Sequence, residues 1–354
     1  MRKSLYVWFL FTLSLPAAAP RAAQEYPVLS PRQVVHVAGT VFEWSPYSFG
    51  IPCDADGNIY MSPSLGNPGA KISPSGKVVA RFDLSGPVAS TSELKDAKAV
   101  SFAVDSRGNA FVLLQAKGRQ GYVVRFGSDG KYDKTIHLEA PDLAPRYLAV
   151  FDTGELLVTG FAGHYEGKRW SGVAYTAIFD RSGRSPLEVK LAGDASVDVA
   201  GLPPGTEGWK QLSERRAAME DALLEGDVLS GWDGNVYVVR GGHPPAVYVL
   251  TPSGTLLRRM KLEPPAPGVE PMMESLSRGR LVVGYGKVSH GPGAVMGPPE
   301  LYSVYDALSG ERLYDYKGPK EDLGFFACYT GNDFVFVGAE DSTGSISMVY
   351  TRPK

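Results

Sequence analysis

The chain has 354 residues with 41 glycines, 27 prolines and a formal net charge of −2, from 36 basic and 38 acidic side chains. That balance excludes the basic footprint of a nucleic-acid binder and any long polyelectrolyte tail. The length admits two ordinary domains or one large all-β domain, and the glycine and proline content suits many short strands joined by tight turns.

Residues 1–23 read as a signal peptide. "MRK" supplies positive charge, "SLYVWFLFTLSL" an apolar core and "PAAAPRAA" small residues for cleavage. The core is short for a membrane span, with an uncleaved anchor as the alternative. The expected mature chain, 24–354, is therefore exported, periplasmic or extracellular, without a membrane span, and monomeric. Its first strand is "QVVHV" at 33–37.

From residue 53 onward one pattern recurs. "CDADGNIYMSPSLGNPGAKISPSGKVVARFDL" (53–84) reads as strand, glycine turn, strand, variable loop, strand, glycine turn, strand. The same order returns at 104–138, more loosely at 150–191, again at 231–262 and 277–317, and stops one strand short at 328–351. First-turn glycines fall at Gly57, Gly108, Gly154, Gly234, Gly279 and Gly331, and second-turn glycines at Gly76, Gly130, Gly183, Gly254 and Gly310. Glycine supplies the positive φ that a tight hairpin needs.

Six copies of a four-stranded unit, each about 45–50 residues, predict a ring of sheets, since no single sheet can bury both of its faces alone. The sixth copy lacks an outer strand, and 33–37 is the unclaimed one. The fold expected is an all-β, six-bladed β-propeller of four-stranded antiparallel blades closed by that N-terminal strand; seven blades is the other count considered.

Between the third and fourth copies the chain inserts 192–227. Trp209, Leu212, Met219 and Leu223 run at helical spacing there, with Thr206 and Gly226 placed as caps. The insertion predicts a helix, packed on the rim or forming a lid.

"FAVDSRGNAFVL" (102–113) with "YVVRF" (122–126), and "GWDGNVYVV" (231–239) with "VYVL" (247–250), resemble the six-bladed propellers built of NHL-type repeats. The resemblance spans roughly residues 50–350. Related propellers include gluconolactonase-like hydrolases, lyases and non-catalytic binding modules, so it implies the fold and leaves the function open.

Topology places the variable loops and the insertion on one face, opposite the glycine turns, and loops on a rigid scaffold concentrate binding groups. His164, His243 and His290 occupy these loops in consecutive units, at +10, +9 and +11 from the first-turn glycine. Converging imidazoles can hold a divalent metal or act as acid and base, whereas outward-pointing rings would share no role. Tyr165, Arg169 and Trp170 beside His164 suit an anionic or sugar-like ligand. Glu274, Glu321 and Asp322 are carboxylates expected near the channel mouth. No GxSxG, HExxH or CxxC motif is present.

Two functions follow. One is a non-catalytic propeller binding a protein, peptide or glycan on its loop face; the other is a metal-dependent extracellular hydrolase or lyase. Cys53 and Cys328 take equivalent inner-strand positions in the first and last units, adjacent only if the ring closes, and form either a disulfide or two buried thiols.

Overall fold

The structure is a computed structural model describing residues 25–37, 51–140, 143–166, 169–191, 228–240, 245–287, 299–339 and 345–354. Among these residues the strands form six antiparallel sheets. Leu29–Val37 (β1) comes first in the chain and belongs to the last blade.

Blade 1 is Ile59–Met61 (β2), Gly69–Ile72 (β3) and Val78–Phe82 (β4), with Cys53 bridging Ile59 where an inner strand would run. Blade 2 is Lys98–Val104 (β5), Ala110–Gln115 (β6), Gly121–Phe126 (β7) and Tyr132–His137 (β8). Blade 3 is Leu143–Val150 (β9), Leu156–Glu166 (β10), Arg169–Phe179 (β11) and Leu187–Glu188 (β12). Blade 4 is Val228–Ser230 (β13), Val236–Arg240 (β14), Ala246–Leu250 (β15) and Leu256–Lys261 (β16). Blade 5 is Glu270–Ser277 (β17), Arg280–Gly286 (β18), Leu301–Asp306 (β19) and Arg312–Lys317 (β20). Blade 6 is Phe325–Tyr329 (β21), Phe334–Ala339 (β22) and Ile346–Pro353 (β23), completed by β1 on its outer edge.

Burial follows from position within a blade. The middle strands lie between neighbouring blades and are buried on both faces, so "AFVLL" in β6 and "AVYVL" in β15 are apolar throughout. Outer strands meet water on one side and alternate, as in β4 and β20. Six apolar clusters result, each between two consecutive blades. Tyr60 and Phe82 of blade 1 pack against Val112 and Leu114 of blade 2, and so on round the ring. The last cluster joins Val335, Val337 and Met348 of blade 6 to Ile59, Met61 and Ile72 of blade 1. That cluster closes the circle at six blades.

The N-terminal strand does this work over a longer span than 33–37. β1 pairs with β23 from Leu29↔Pro353 to Val37↔Ile346, with a bulge at Arg32. Pro31 is tolerated because β1 is an edge strand. Upstream, Val28 bridges Lys317 of blade 5, and the Tyr26 hydroxyl donates to the Pro265 carbonyl at 2.9 Å. The start of the chain thus straps two blades.

The second-turn glycines are needed for a further reason besides φ. Strand twist swings each second turn against the end of the preceding blade's outer strand. A Cβ on Gly130 would lie 2.3 Å from the Arg81 carbonyl oxygen, and one on Gly76 would lie 2.7 Å from that of His36. Gly76 therefore docks blade 1 onto the closing strand.

Helical content is small. A short helix, Ser85–Ser90, occupies the link between blades 1 and 2, with Pro87 buried in its first turn where a missing N–H costs nothing. The sequence pattern does not announce it. The helix expected over 192–227 lies outside the described residues, and among the described ones no helix is long and apolar enough to cross a membrane.

Candidate functional site

The inner strands line the axis of the ring, and in blades 2 and 6 they are more exposed at the loop-face end than toward the turns. Each runs from the loop face toward the glycine turns. At the loop-face end, Lys98 of β5 is exposed and Phe325 of β21 is 46 % exposed. At the turn end, Ala103, Ser275, Ser277 and Cys328 are all buried.

Several contacts tie the inner strands to one another across the axis and at the turn face. The Cys53–Cys328 disulfide joins the inner positions of blades 1 and 6, with α-carbons 5.8 Å apart. Ser275 Oγ of blade 5 lies 3.9 Å from Cys53 Sγ. The inner strands β5 and β13, which belong to blades 2 and 4, come within 8 Å of each other. Arg278 spans the turn face: its Nε donates to the Ala55 carbonyl at 2.8 Å and its NH1 to the Thr330 carbonyl at 3.1 Å. Arg278 holds φ +49, a left-handed conformation that its two-residue hairpin with Gly279 demands.

Serine hydroxyls knit the inner strands where no ladder exists. Leu148 N donates to Ser101 Oγ at 3.0 Å, and Val150 N to Ser230 Oγ at 2.8 Å. These bonds satisfy inner-edge amides that a sheet interior would otherwise pair.

A bulge recurs in the inner strands of blades 2, 3, 5 and 6. The extra residues are Val100, Arg146, Glu274 and Ala327. A bulge bends its strand and re-aims one side chain, which is why bulges collect at rims and sites. In β9 the outcome is plain: Arg146 is exposed while every other residue of "LAPRYLAV" is buried. The Arg146 guanidinium has no hydrogen bond, ion pair or ring contact among the described residues, whereas Arg125, Arg258, Arg280, Arg312 and Arg352 are each paired with an aspartate.

The residues singled out in sequence fall as follows. His164, Tyr165, Arg169 and Trp170 were expected in a variable loop, but their backbone continues the blade 3 hairpin. β10 and β11 pair over eleven positions, including His164↔Ser171, Tyr165↔Trp170 and Glu166↔Arg169. Beyond Ala162 the hairpin has no third strand, so the two strands satisfy only each other's inward backbone groups and the outward ones lie on free edges. Side chains there lie outside the description, and so do His243 and His290 entirely. Among the described residues no group of three His, Cys, Asp or Glu side chains could hold a metal. Glu274 sits at the blade 5 bulge, Glu321 is exposed, and Asp322 accepts from Gly324 N at 2.9 Å. Arg146, Lys98 and Arg278 were missed. A charge interrupting the apolar run 143–150 was the one available signal for Arg146.

Buried polar groups elsewhere serve the scaffold. Asp54 accepts from Tyr60 and pairs with Lys71, and Asp233 does the same with Tyr237 and Arg258. Burial raises the Asp54 pKa, but hydrogen bonds from Asn58, Lys71 and Tyr60 outweigh it and hold the carboxyl below its usual range.

No family model matches the chain, and no curated protein matches it. Among solved structures it is similar to a gluconolactonase from Xanthomonas campestris, at 13 % identity over 94 % of this chain and 99 % of that one, TM-score 0.45. It is also similar to the Pan2 WD40 domain of Neurospora crassa, at 10 % identity over 93 % and 98 %, TM-score 0.46. The Malassezia sympodialis allergen Mala s 1 gives 10 % identity over 91 % and 96 %, TM-score 0.47. At these values the likenesses assign no activity; the propeller stands on its own sheet order and on the cluster that joins its ends.

Proposed function

We propose that this chain is an exported binding propeller that takes a protein, peptide or glycan ligand on its loop face, without catalysis. The observation that supports it most is the contrast between the two ends of the axis: the turn face is tied by a disulfide and Arg278, whereas toward the loop face the bulged inner strands form a wall bearing the exposed Lys98 and Arg146. Concave sites on rigid scaffolds are where binding groups concentrate. The long blade 3 hairpin, carrying His164, Tyr165, Arg169 and Trp170, offers a second wall on the same face. Export accords with the disulfide, which needs an oxidising compartment to persist. NHL-type ancestry, read from residues 102–126 and 231–250, belongs to the same proposal.

Probing glycan and peptide arrays with the purified mature chain tests the reading, with two tryptophans compared on each hit. Trp170→Ala on the loop face should weaken binding at least tenfold, and Trp232→Ala on the turn face should leave it unchanged. Hits indifferent to Trp170 but lost with Trp232 would overturn the loop-face assignment.

A further inference from the structure

We propose that the loop face carries, at the junction of blades 2 and 3, an anion-binding subsite in which Arg146 is the principal ligand group and Lys98 and Lys117 complete the positive field. This deepens the loop-face reading and rests on it. The ligand chemistry is a carboxylate, sulfate or phosphate group, free or carried by a small molecule.

Three observations converge on this junction of blades 2 and 3. First, the bulge turns Arg146 out of a strand that is buried everywhere else, and its guanidinium finds no acceptor among the described residues. An arginine held rigid at its backbone, with five donors unused, suits a planar or tetrahedral oxyanion.

Second, the fold brings two more cations to the same height. The Ser101–Leu148 bond sets β5 and β9 side by side. Lys98 lies three residues before Ser101 and Arg146 two before Leu148, so their α-carbons differ in height along the axis by about one residue rise, roughly 3 Å. Lys98 pairs with Gln115, two residues before Lys117. A Cβ on Gly121 would lie 3.2 Å from Pro145 Cγ, so the loop bearing Lys117 abuts the start of β9. Lys98 and Lys117 are exposed and have no partner among the described residues.

Third, the three cations stand on one junction of a rigid scaffold, so their fields add over the same patch of the loop face. Asp96, exposed two residues before Lys98, and Glu139, exposed in the link between the two blades, are acids close in sequence; Asp142 lies outside the described residues, and Glu93 is engaged by Ser92 Oγ at 2.9 Å.

Isothermal titration of the mature chain with inorganic phosphate, sulfate and citrate, at ionic strength held constant with chloride, tests the subsite. At least one anion should bind saturably at a 1:1 ratio, and the order of the three separates a phosphate or sulfate from a carboxylate ligand. Arg146→Gln should weaken that binding at least tenfold, Lys98→Gln and Lys117→Gln a few-fold each, and Arg146→Lys less than Arg146→Gln. Arg107→Gln, an exposed arginine on the opposite face, should change nothing. Absence of saturable binding by all three anions, or binding that Arg146→Gln leaves intact in a variant with native circular dichroism, would overturn the subsite. The two readings fail separately: array ligands lost with Trp170→Ala but no anion bound sinks only the subsite, and the reverse result sinks only the macromolecular ligand.

Discussion

Cys53 and Cys328 are bonded across 275 residues of sequence, at the one junction where the first blade meets the last. The bond joins inner positions of the two blades, and β1 closes the same two blades on the rim through Gly76. The ring is thus fastened at its inner and outer radius. Each fastener carries a separate prediction.

At the inner radius, closing so long a loop disfavours the unfolded chain by roughly 5 kcal/mol in the loop-entropy picture, of which about 2–4 is commonly realised. The Cys53→Ala, Cys328→Ala double variant should fold with a midpoint shifted to match in chemical denaturation. Thiol titration of the denatured, unreduced wild type should find no free thiol. Two per chain would remove the bond.

At the outer radius, deleting residues through 37 strips β23 of its partner and bares the surface that Leu29 and Val37 cover. The loss should lower one cooperative transition for the whole ring, because every blade is buried by its neighbours. Circular dichroism melting would show this, and an unchanged midpoint would contradict ring closure by β1.

The repeated glycines separate two causes. Gly118 and Gly130 both hold positive φ, at +77 and +85. Around Gly118 nothing lies within 4 Å of an added Cβ, whereas at Gly130 the Arg81 carbonyl stands in the way. Gly118→Ala should cost about 1 kcal/mol, the conformational penalty alone. Gly130→Ala should cost clearly more, by about 1–3 kcal/mol, as blade 2 is pushed off blade 1. Equal losses in urea unfolding would show that blade contact adds nothing.

The buried tyrosines set an alkaline limit. Burial, and after it the Asp54 carboxylate, pushes the Tyr60 phenol well above its ordinary range. Burial and Asp233 do so for Tyr237, and burial with the Tyr305 hydroxyl, 2.6 Å away, for Tyr285. Tyr316 is pushed up to about 12, chiefly by burial. In the unfolded chain these phenols ionise near ~10. Above that pH the native state holds more protons than the unfolded one. Stability is therefore full below ~10 and falls as the pH climbs toward the native values. Absorbance at 295 nm should show a group of tyrosines ionising only with the unfolding step; smooth titration of all of them in a folded protein would refute it.

Blade number, the closing strand and the proximity of the two cysteines were legible in sequence because they rest on local or periodic constraints, whereas the bond itself was left open. Turn glycines mark positive φ, alternation marks burial, and a missing strand in a closed ring can be supplied only by the unclaimed one. The N-terminal strand itself was underestimated, since Leu29–Ser30–Pro31–Arg32 shows no alternation and pairs only because β23 offers a free edge. The site was a different matter. Equal offsets of His164, His243 and His290 from their glycines fix a place along each blade, but not the direction a side chain takes. A single bulge shifts that direction by one residue and leaves no mark in the apolar pattern. Arg146 in "LAPRYLAV" was marked only by a charge in an apolar run, which does not say where the side chain goes, and Lys98 and Lys117, nineteen residues apart, reach the same end of blade 2 only through the pairing of β5 with β6. The sequence alone determined a six-bladed ring and how it is closed. Which charges stand exposed on the loop face was decided by strand register and packing between blades, which depend on contacts far apart in the chain.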